Sequence, residues 1–202
     1  EDWAVSPLKS VGDAVIGLTY SPDQVVGEGE GTLVLRSSNI QNGSLSFRDN
    51  VYVNAQIPKK LRAQSNDLLI CSRNGSRDLI GKCALIDGSA EGQSFGAFTT
   101  VFRSDMNEFI YFVMNSDLFR FQAGMFMTST INQLTTGMLN NFRVPLPPKE
   151  TQRQIVAYLR SATMHLDGLI ATTNRSIELL KEKRSALITA AVTGKIDVRN
   201  AA

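Results

Sequence analysis

The sequence changes character at its last prolines. Three of its six prolines, Pro145, Pro147 and Pro148, lie in the segment FRVPLPPKETQRQIVAYLR, and no proline follows them. Proline is tolerated in the first turn of an α-helix but breaks a helix interior, so this segment suits the end of a strand and the start of a long helix. Gly194 suits the C-terminal cap of that helix. We therefore predict one helix over 147–194, about 70 Å long at a rise of about 1.5 Å per residue.

Hydrophobic residues in this predicted helix recur in steps of three and four, which is the spacing of a coiled-coil seam, with one four-residue stutter near Leu166. A body of about 150 residues has a radius of gyration near 15 Å, so a helix this long cannot lie wholly on its own body. We predict that the apolar stripe forms an antiparallel coiled coil with a partner, either a second copy or a missing half. The stripe contains Ile155, Leu159, Leu166, Ile170, Ile177, Leu180 and Leu187.

Residues 1–146 are expected to form an α+β globular domain of mostly antiparallel strands, followed by the helix and a short tail at 195–202. The dipeptide Asn42–Gly43 predicts a hairpin turn, and apolar spacing predicts one helix over 107–122. Runs of β-branched and aromatic residues predict the strands. These strands are 32–40, 45–53, 67–73, 81–87, 95–103 and 142–146.

Composition limits the functions that the chain could have. Residues 1–149 carry 13 basic and 14 acidic side chains and residues 150–202 carry 8 and 5, so any DNA binding by the body needs a local cluster. No apolar run is long enough for a membrane span, and no glycine-rich phosphate-binding motif is present. We expect no cofactor, no metal site and no catalysis, and buried free thiols at Cys71 and Cys83. Because the sequence starts at Glu1 without a leader, we expect a segment trimmed from a cytoplasmic protein.

Three polar segments carry residue types that bind DNA, chief among them the loop SRNGSRDLIGK at 72–82. Arginine donates a bidentate fork to guanine or phosphate, asparagine pairs with adenine, and serine donates to phosphate oxygens. A solvated hairpin tip, or a capped turn at 131–141, would use the same residues. Most phenylalanines are expected in the core rather than stacked on bases. The candidate DNA-binding residues are Arg73, Asn74, Ser76, Arg77, Lys82, Arg36, Ser37, Asn39, Asn132 and Thr135.

Two stretches of the tail, FRVPLPPKETQRQIVAYL and IELLKEKRSALITAAVTGKIDV, resemble the specificity subunit of type I restriction–modification systems. In the body, DLLICSRNGSRDLIGKCALID and FGAFTTVFRSDMNEFIYFVMNS are similar to the target-recognition domain of that family. The resemblance implies a non-catalytic subunit that reads one half of a bipartite sequence in double-stranded DNA. It also implies that paired long helices act as a spacer and dock methyltransferase subunits, which the restriction and motor subunit then joins.

A complete subunit of that family has two recognition domains and two long helices, whereas this sequence has one of each. The resemblance therefore implies a half-subunit, either a short gene product or part of a longer one. Two copies paired antiparallel would form a rod of roughly 70 Å, about two turns of DNA. Two other functions stay open. One is a regulatory or structural coiled-coil partner of a full-length specificity subunit that does not read DNA itself, and the other is a modification enzyme whose catalytic region lies outside these residues.

Overall fold

The computed structural model describes residues 3–126 and 132–196, and the chain divides into two compact units between Val156 and Ala157. The strands are β1 (Ala4–Pro7), β2 (Asp13–Ile16), β3 (Val25–Val26), β4 (Thr32–Leu35), β5 (Ile40–Gln41), β6 (Ser44–Leu45), β7 (Tyr52–Val53), β8 (Leu68–Cys71), β9 (Cys83–Leu85), β10 (Ser94–Phe95), β11 (Thr99–Arg103) and β12 (Arg143–Leu146). The α-helices are α1 (Asn107–Met114), α2 (Asp117–Phe126), α3 (Thr136–Asn141) and α4 (Lys149–Val192). Short 3-10 helices lie at Leu8–Ser10, Pro22–Gln24, Ser37–Asn39, Lys59–Leu61 and Arg77–Leu79.

The strands of the first unit form small sheets. One sheet has the order β2-β11-β8-β9 and is antiparallel throughout. A second has the order β10-β4-β7-β3, in which β10 and β4 run parallel and the other pairs antiparallel. Strand β1 pairs antiparallel with β12, and β5 with β6. The predicted α+β class with mostly antiparallel strands is confirmed.

Strand β8 separates two hydrophobic cores. Successive side chains of a strand point to opposite faces of its sheet. Leu68 and Ile70 accordingly join a core that includes residues of α1, α2 and α3, whereas Leu69 and Cys71 join a core shared with β4, β7 and β10. Because all four side chains are buried, the sheet is covered on both faces at β8 and this strand is held by packing from both sides. The loop that follows β8 therefore starts from a fixed base.

The predicted hairpin turn at Asn42–Gly43 is confirmed, since both residues have positive φ (50° and 75°), as a type I′ turn requires. The two flanking strands were predicted too long. The strand predicted at 32–40 ends at Leu35, and the one predicted at 45–53 is split into β6 and β7. The cause is Asn39, whose side chain accepts a hydrogen bond from the Arg36 backbone and donates one to the Ser46 carbonyl, tying the chain into a loop.

The single helix predicted over 107–122 was also wrong, because the chain breaks it into α1 and α2. The side chain of Asn115 donates to the Tyr111 carbonyl and that of Ser116 to the Val113 carbonyl. These bonds occupy the carbonyl groups that close α1 and so favour a helix end over continuation. Both cysteines are buried and free, as predicted.

Helix α4 is continuous over its 44 residues, as predicted, and is about 66 Å long at 1.5 Å per residue. At its start the Gln152 side chain donates to the Pro147 carbonyl at 2.7 Å, and both Gln152 and Val156 are buried. At its end Gly194 has a φ of 72°, and the Lys195 N–H donates to the Ala190 carbonyl at 2.8 Å. This is the Schellman-type cap that glycine favours.

The second unit consists largely of the rest of α4. Most of the predicted apolar stripe is exposed there, namely Leu166, Ile170, Ile177, Leu180 and Leu187, whereas Ile155 and Leu159 are half-buried. Pairing of this stripe with another helix stays a prediction, as does the division into 1–146, 147–194 and 195–202. Residues 197–202 of the predicted tail lie outside the described residues. No helix in the described part of the chain is long and apolar enough to span a membrane.

Candidate nucleic-acid interface

The loop at 72–82 joins β8 to β9 and is closed at its base by backbone hydrogen bonds. The Gly81 N–H donates to the Cys71 carbonyl at 2.8 Å, and the Cys71 N–H donates to the Lys82 carbonyl at 2.9 Å. Gly81 has a φ of 83°, and a Cβ there would lie 2.3 Å from the Phe119 ring, so only glycine fits. The loop is therefore anchored at both ends.

Residues 132–134 lie directly beside this loop. The Leu134 N–H donates to the Ser72 carbonyl at 2.7 Å, and Arg73 and Gln133 form an antiparallel bridge. The Asn132 side chain donates to the Gly75 carbonyl at 2.9 Å. The segment that the sequence placed just before the last strand thus supports the outer part of the 72–82 loop.

The third polar segment, at 36–39, meets the same loop from another direction. The Asn74 side chain donates to the Ser37 hydroxyl at 3.2 Å, and the Lys82 ammonium donates to the Ile40 carbonyl at 3.0 Å. Residues 36–39, 73–82 and 132–135 are therefore adjacent in space. We call this region the three-segment surface.

Within the three-segment surface, Asn39 differs from the other candidates because it is completely buried, with a relative exposure of 0%. Its side chain is bonded to the loop around it, including Asn50 at 3.2 Å. The structure thus gives Asn39 a role in shaping the loop. Its neighbour Arg36 is half-exposed and ion-paired with Asp49 at 2.9 Å.

The remaining candidates lie at the outer edge of the surface. The N–H of Ser76 donates to the Asn74 side chain at 3.0 Å, which forms a tight Asx turn at the loop tip. Arg77 begins the following 3-10 helix, and with Lys82 and Arg120 it lines a cleft of about 530 Å³. Thr135 caps α3, because its hydroxyl accepts from the Met138 N–H at 3.1 Å.

The charge of this surface differs from that of the body as a whole. Its residues carry four cationic side chains, and the carboxylates that lie in it or pair with it are Asp78 and Asp49. This leaves an excess of two positive charges (4 − 2), whereas residues 1–149 have a net charge of −1 (13 − 14). A local cluster can attract a polyanion even where the global charge does not. The cations are Arg36, Arg73, Arg77 and Lys82.

An aromatic side chain completes the surface. Phe98 is 60% exposed, and the guanidinium carbon of Arg73 lies over its ring, 5.3 Å from the centroid. Phe95, Phe109 and Phe119 are buried, as predicted, but Phe98 and Phe121 are exposed. No sequence signal separated Phe98 from the core residues, because it lies inside the run 95–103 that was predicted as one strand. The structure divides this run into β10 and β11, and Phe98 lies between them.

The thiol of Cys71, at the base of the 72–82 loop, is affected by its burial. Desolvation raises the pKa of the Cys71 thiol, and this effect outweighs the nearby Lys82 ammonium, which lowers it. Cys71 therefore stays a neutral thiol at physiological pH and contributes no charge to the surface.

Comparison with known families connects this geometry to a class of protein. Residues 1–179 match the model of the type I restriction modification DNA specificity domain. The chain belongs to this family. The match covers most of the sequence, so the resemblance inferred from the tail and body motifs is confirmed.

Individual specificity subunits also align with nearly the whole of this chain. The chain is 28% identical over 203 residues to the type I restriction enzyme EcoKI specificity subunit of Escherichia coli K12, covering 97% of this chain and 44% of that protein. It is 27% identical to the StySPI specificity subunit of Salmonella potsdam, again covering 97% and 44%. The chain thus spans less than half the length of these curated relatives.

The fold is shared with solved chains at low identity. One, from a structure of the assembly and conformational transition of the type I R-M system, aligns with a TM-score of 0.75 at 21% identity, over 94% of this chain and 45% of the other. The HsdS subunit from Thermoanaerobacter tengcongensis aligns with a TM-score of 0.62 at 20% identity, over 83% and 38%. These alignments support the fold of a specificity-family half.

Proposed function

We propose that this chain is a sequence-specific DNA-recognition component of a type I restriction–modification complex and reads one half of a bipartite target. The observation that carries the proposal is the three-segment surface, where residues from three distant parts of a specificity-family chain meet around an excess of positive charge. In this role the chain is non-catalytic and needs no cofactor. Acting on DNA would locate it in the cytoplasm.

The surface divides into contacts of different kinds. Arg73 is exposed beside Phe98 and has the bidentate fork that recognises guanine O6 and N7. Arg77 and Lys82 border one cleft with Arg120, which suits phosphate contacts. We assign the remaining polar side chains to contacts with the DNA sugar–phosphate backbone or to the rim of the interface. These are Ser37, Ser76, Arg36 and Thr135. Asn74 and Asn132 hold the segments together, and we leave the buried Asn39 out of the contacts.

Helix α4 provides the second half of the function. Its exposed apolar stripe favours a second long helix as partner, because leucine and isoleucine side chains at coiled-coil spacing are stabilised by burial in a seam. We propose an antiparallel homodimer, whose helices of about 66 Å approach the length of two DNA turns at about 34 Å each. The paired helices would also dock the methyltransferase subunits, through which the restriction and motor subunit joins.

Selection of duplexes from a random pool tests the proposal directly. The full chain, alone and with the methyltransferase subunit of its own system, is incubated with the pool, and bound DNA is sequenced. Enrichment of one split sequence supports DNA recognition. If no sequence is enriched while the chain still pairs with a full-length specificity subunit in size-exclusion chromatography, the chain is a regulatory or structural partner instead.

A further inference from the structure

Phe98 stands on a backbone corner that is fixed from several sides. The corner joins β10 to β11, and its N–H groups at Gly96 and Ala97 donate to the carbonyls of Leu35 and Leu18, each at 2.9 Å. The carbonyl of Phe98 itself accepts from the N–H groups of Ser72 and Arg73, each at 3.0 Å, and from the Ser72 hydroxyl at 3.1 Å. The exposed ring is therefore carried by a rigid support and not by a loose loop.

The ring has little to pack against in its own unit. It is 60% exposed, and it borders a cleft of about 450 Å³ that Leu18, Tyr20 and Arg36 also line. The exposed ring adjoins the partly buried side chains of Leu18 and Tyr20 in this cleft, and apolar surface rimmed by polar residues is typical of a binding site. The cleft and ring belong to the same face as the 73–82 loop.

Arg73 is placed by this ring. Its guanidinium lies over the ring face, and within residues 3–126 and 132–196 it forms no hydrogen bond and no ion pair. A cation–π contact holds the guanidinium without using its N–H donors for hydrogen bonds. The donors of Arg73 therefore remain available to a ligand, while the ring restricts the directions in which they point.

We infer that Phe98 and Arg73 act together to recognise two neighbouring bases of the DNA target. Arg73 donates its fork to guanine, and Phe98 orients Arg73 and contacts the C5-methyl group of an adjacent thymine. Both are major-groove contacts, in which arginine recognises guanine and apolar side chains recognise the thymine methyl group. The inference rests on the proposed DNA recognition, and it assigns a specificity-determining role to a residue whose side chain carries no polar atom.

Base analogues test each contact separately. In the selected duplex, each thymine is replaced in turn by deoxyuridine, which lacks only the methyl group, and each guanine by 7-deazaguanine, which lacks the N7 acceptor. For the unaltered chain, one deoxyuridine is expected to weaken binding about fourfold, the effect of one buried methyl group. A neighbouring 7-deazaguanine is expected to weaken binding about tenfold. Phe98→Ala should no longer respond to the deoxyuridine, and Arg73→Ala should no longer respond to the 7-deazaguanine.

Two further variants make the result specific. Phe98→Leu keeps an apolar contact but loses the ring, so it should retain the thymine response while discriminating less against base changes at the guanine. Phe121→Ala, at a phenylalanine that is 69% exposed on α2, is the matched control and should respond like the unaltered chain. If the unaltered chain binds every deoxyuridine duplex equally well, the role of Phe98 is wrong while DNA recognition stands. If it selects no sequence at all, the proposed function fails and this inference fails with it.

Discussion

The side-chain amide of Asn74 donates a hydrogen bond to the hydroxyl of Ser37 across 3.2 Å, joining two segments that lie 37 positions apart. This bond ties the loop after β8 to the loop after β4. We expect Asn74→Ala and Ser37→Ala to be coupled in the free energy of DNA binding by about 0.5–1.5 kcal/mol, because either change alone breaks the same bond. Fluorescence anisotropy with the selected duplex measures the cycle. Ser37→Ala combined with Ser89→Ala, whose hydroxyl bonds Asp87, should be additive, and additivity in both pairs would argue against the coupling.

Arg73 and Arg77 are expected to act on different parts of the DNA. Arg73→Ala should cost about 1–3 kcal/mol and relax the preference at one base position, whereas Arg77→Ala should weaken all sequences alike and lower the salt slope by about one. Binding to the selected duplex and its single-base variants at several salt concentrations separates the two effects. Lys59→Ala, at an exposed lysine outside the three-segment surface, is the control. Unchanged affinity and salt dependence in both arginine variants would remove the 73–82 loop from the interface.

The apolar stripe of α4 is expected to mediate self-association. Leu180→Asp together with Leu187→Asp should abolish the dimer, because each change would bury a carboxylate in the seam. Multi-angle light scattering at micromolar concentrations gives the mass directly. Thr189→Asp adds the same charge about 200° around the helix from Leu187 and should leave the dimer intact. A dimer that survives the double substitution would mean that the contact lies elsewhere.

Arg103 and Asp67 form a largely buried ion pair at 3.1 Å, and Arg103 also donates to the carbonyls of Lys60 and Arg62. Arg103→Met should lower the free energy of unfolding by about 3–5 kcal/mol at pH 7, because it leaves the Asp67 carboxylate buried and unpaired. Burial already raises the pKa of Asp67 in spite of Arg103. Without Arg103 the pKa rises further, and a raised carboxyl pKa means that the folded state binds the proton more tightly. The deficit should therefore be smaller at pH 5 than at pH 7.

Urea unfolding at both pH values checks this expectation. Replacing both partners, with Arg103→Met and Asp67→Asn, should recover much of the loss, because no charge is then buried. The exposed pair Asp117–Arg120 provides the control, and Arg120→Met should change the free energy of unfolding by no more than about 0.5 kcal/mol. Equal deficits at pH 5 and pH 7 would contradict the assigned cause.

The buried thiol of Cys83 is expected to lower the free energy of unfolding at alkaline pH. Complete burial raises the pKa of its thiol from 9.0 to about 12, against a small opposing effect of the hydrogen bond from Asn115. The unfolded state releases this proton first, so stability from the neutral thiol is present below pH 9 and is lost as the pH rises toward about 12. Urea unfolding of the native chain and of Cys83→Ala between pH 8 and pH 10 should show a shallower decline in the variant. Native Cys83 should also resist alkylation until the chain unfolds.

The parts of this fold that local chemistry controls were predictable. Proline before a helix and glycine after it predicted the ends of α4 to within a few residues. The spacing of its leucines and isoleucines predicted a stripe, of which the residues from Leu166 to Leu187 are exposed. Asn42–Gly43 likewise specified its turn, because only residues that tolerate positive φ fit there. The side chains of Asn115 and Ser116 donate hydrogen bonds to nearby backbone carbonyls and end α1. The spacing of apolar residues does not reveal such bonds, so it predicted one continuous helix there.

The sequence by itself determined the long helix, its apolar stripe, the strand class of the body and the polar residue types available for DNA. Only the tertiary structure decided that residues 36–39, 73–82 and 132–135 adjoin, that Asn39 is buried and that Phe98 is exposed under Arg73. The physical reason is the separation along the chain of the residues that interact. Caps, turns and helical periodicity arise from neighbours within a few positions, whereas a surface built from three segments depends on strand pairing and core packing between residues far apart in the chain.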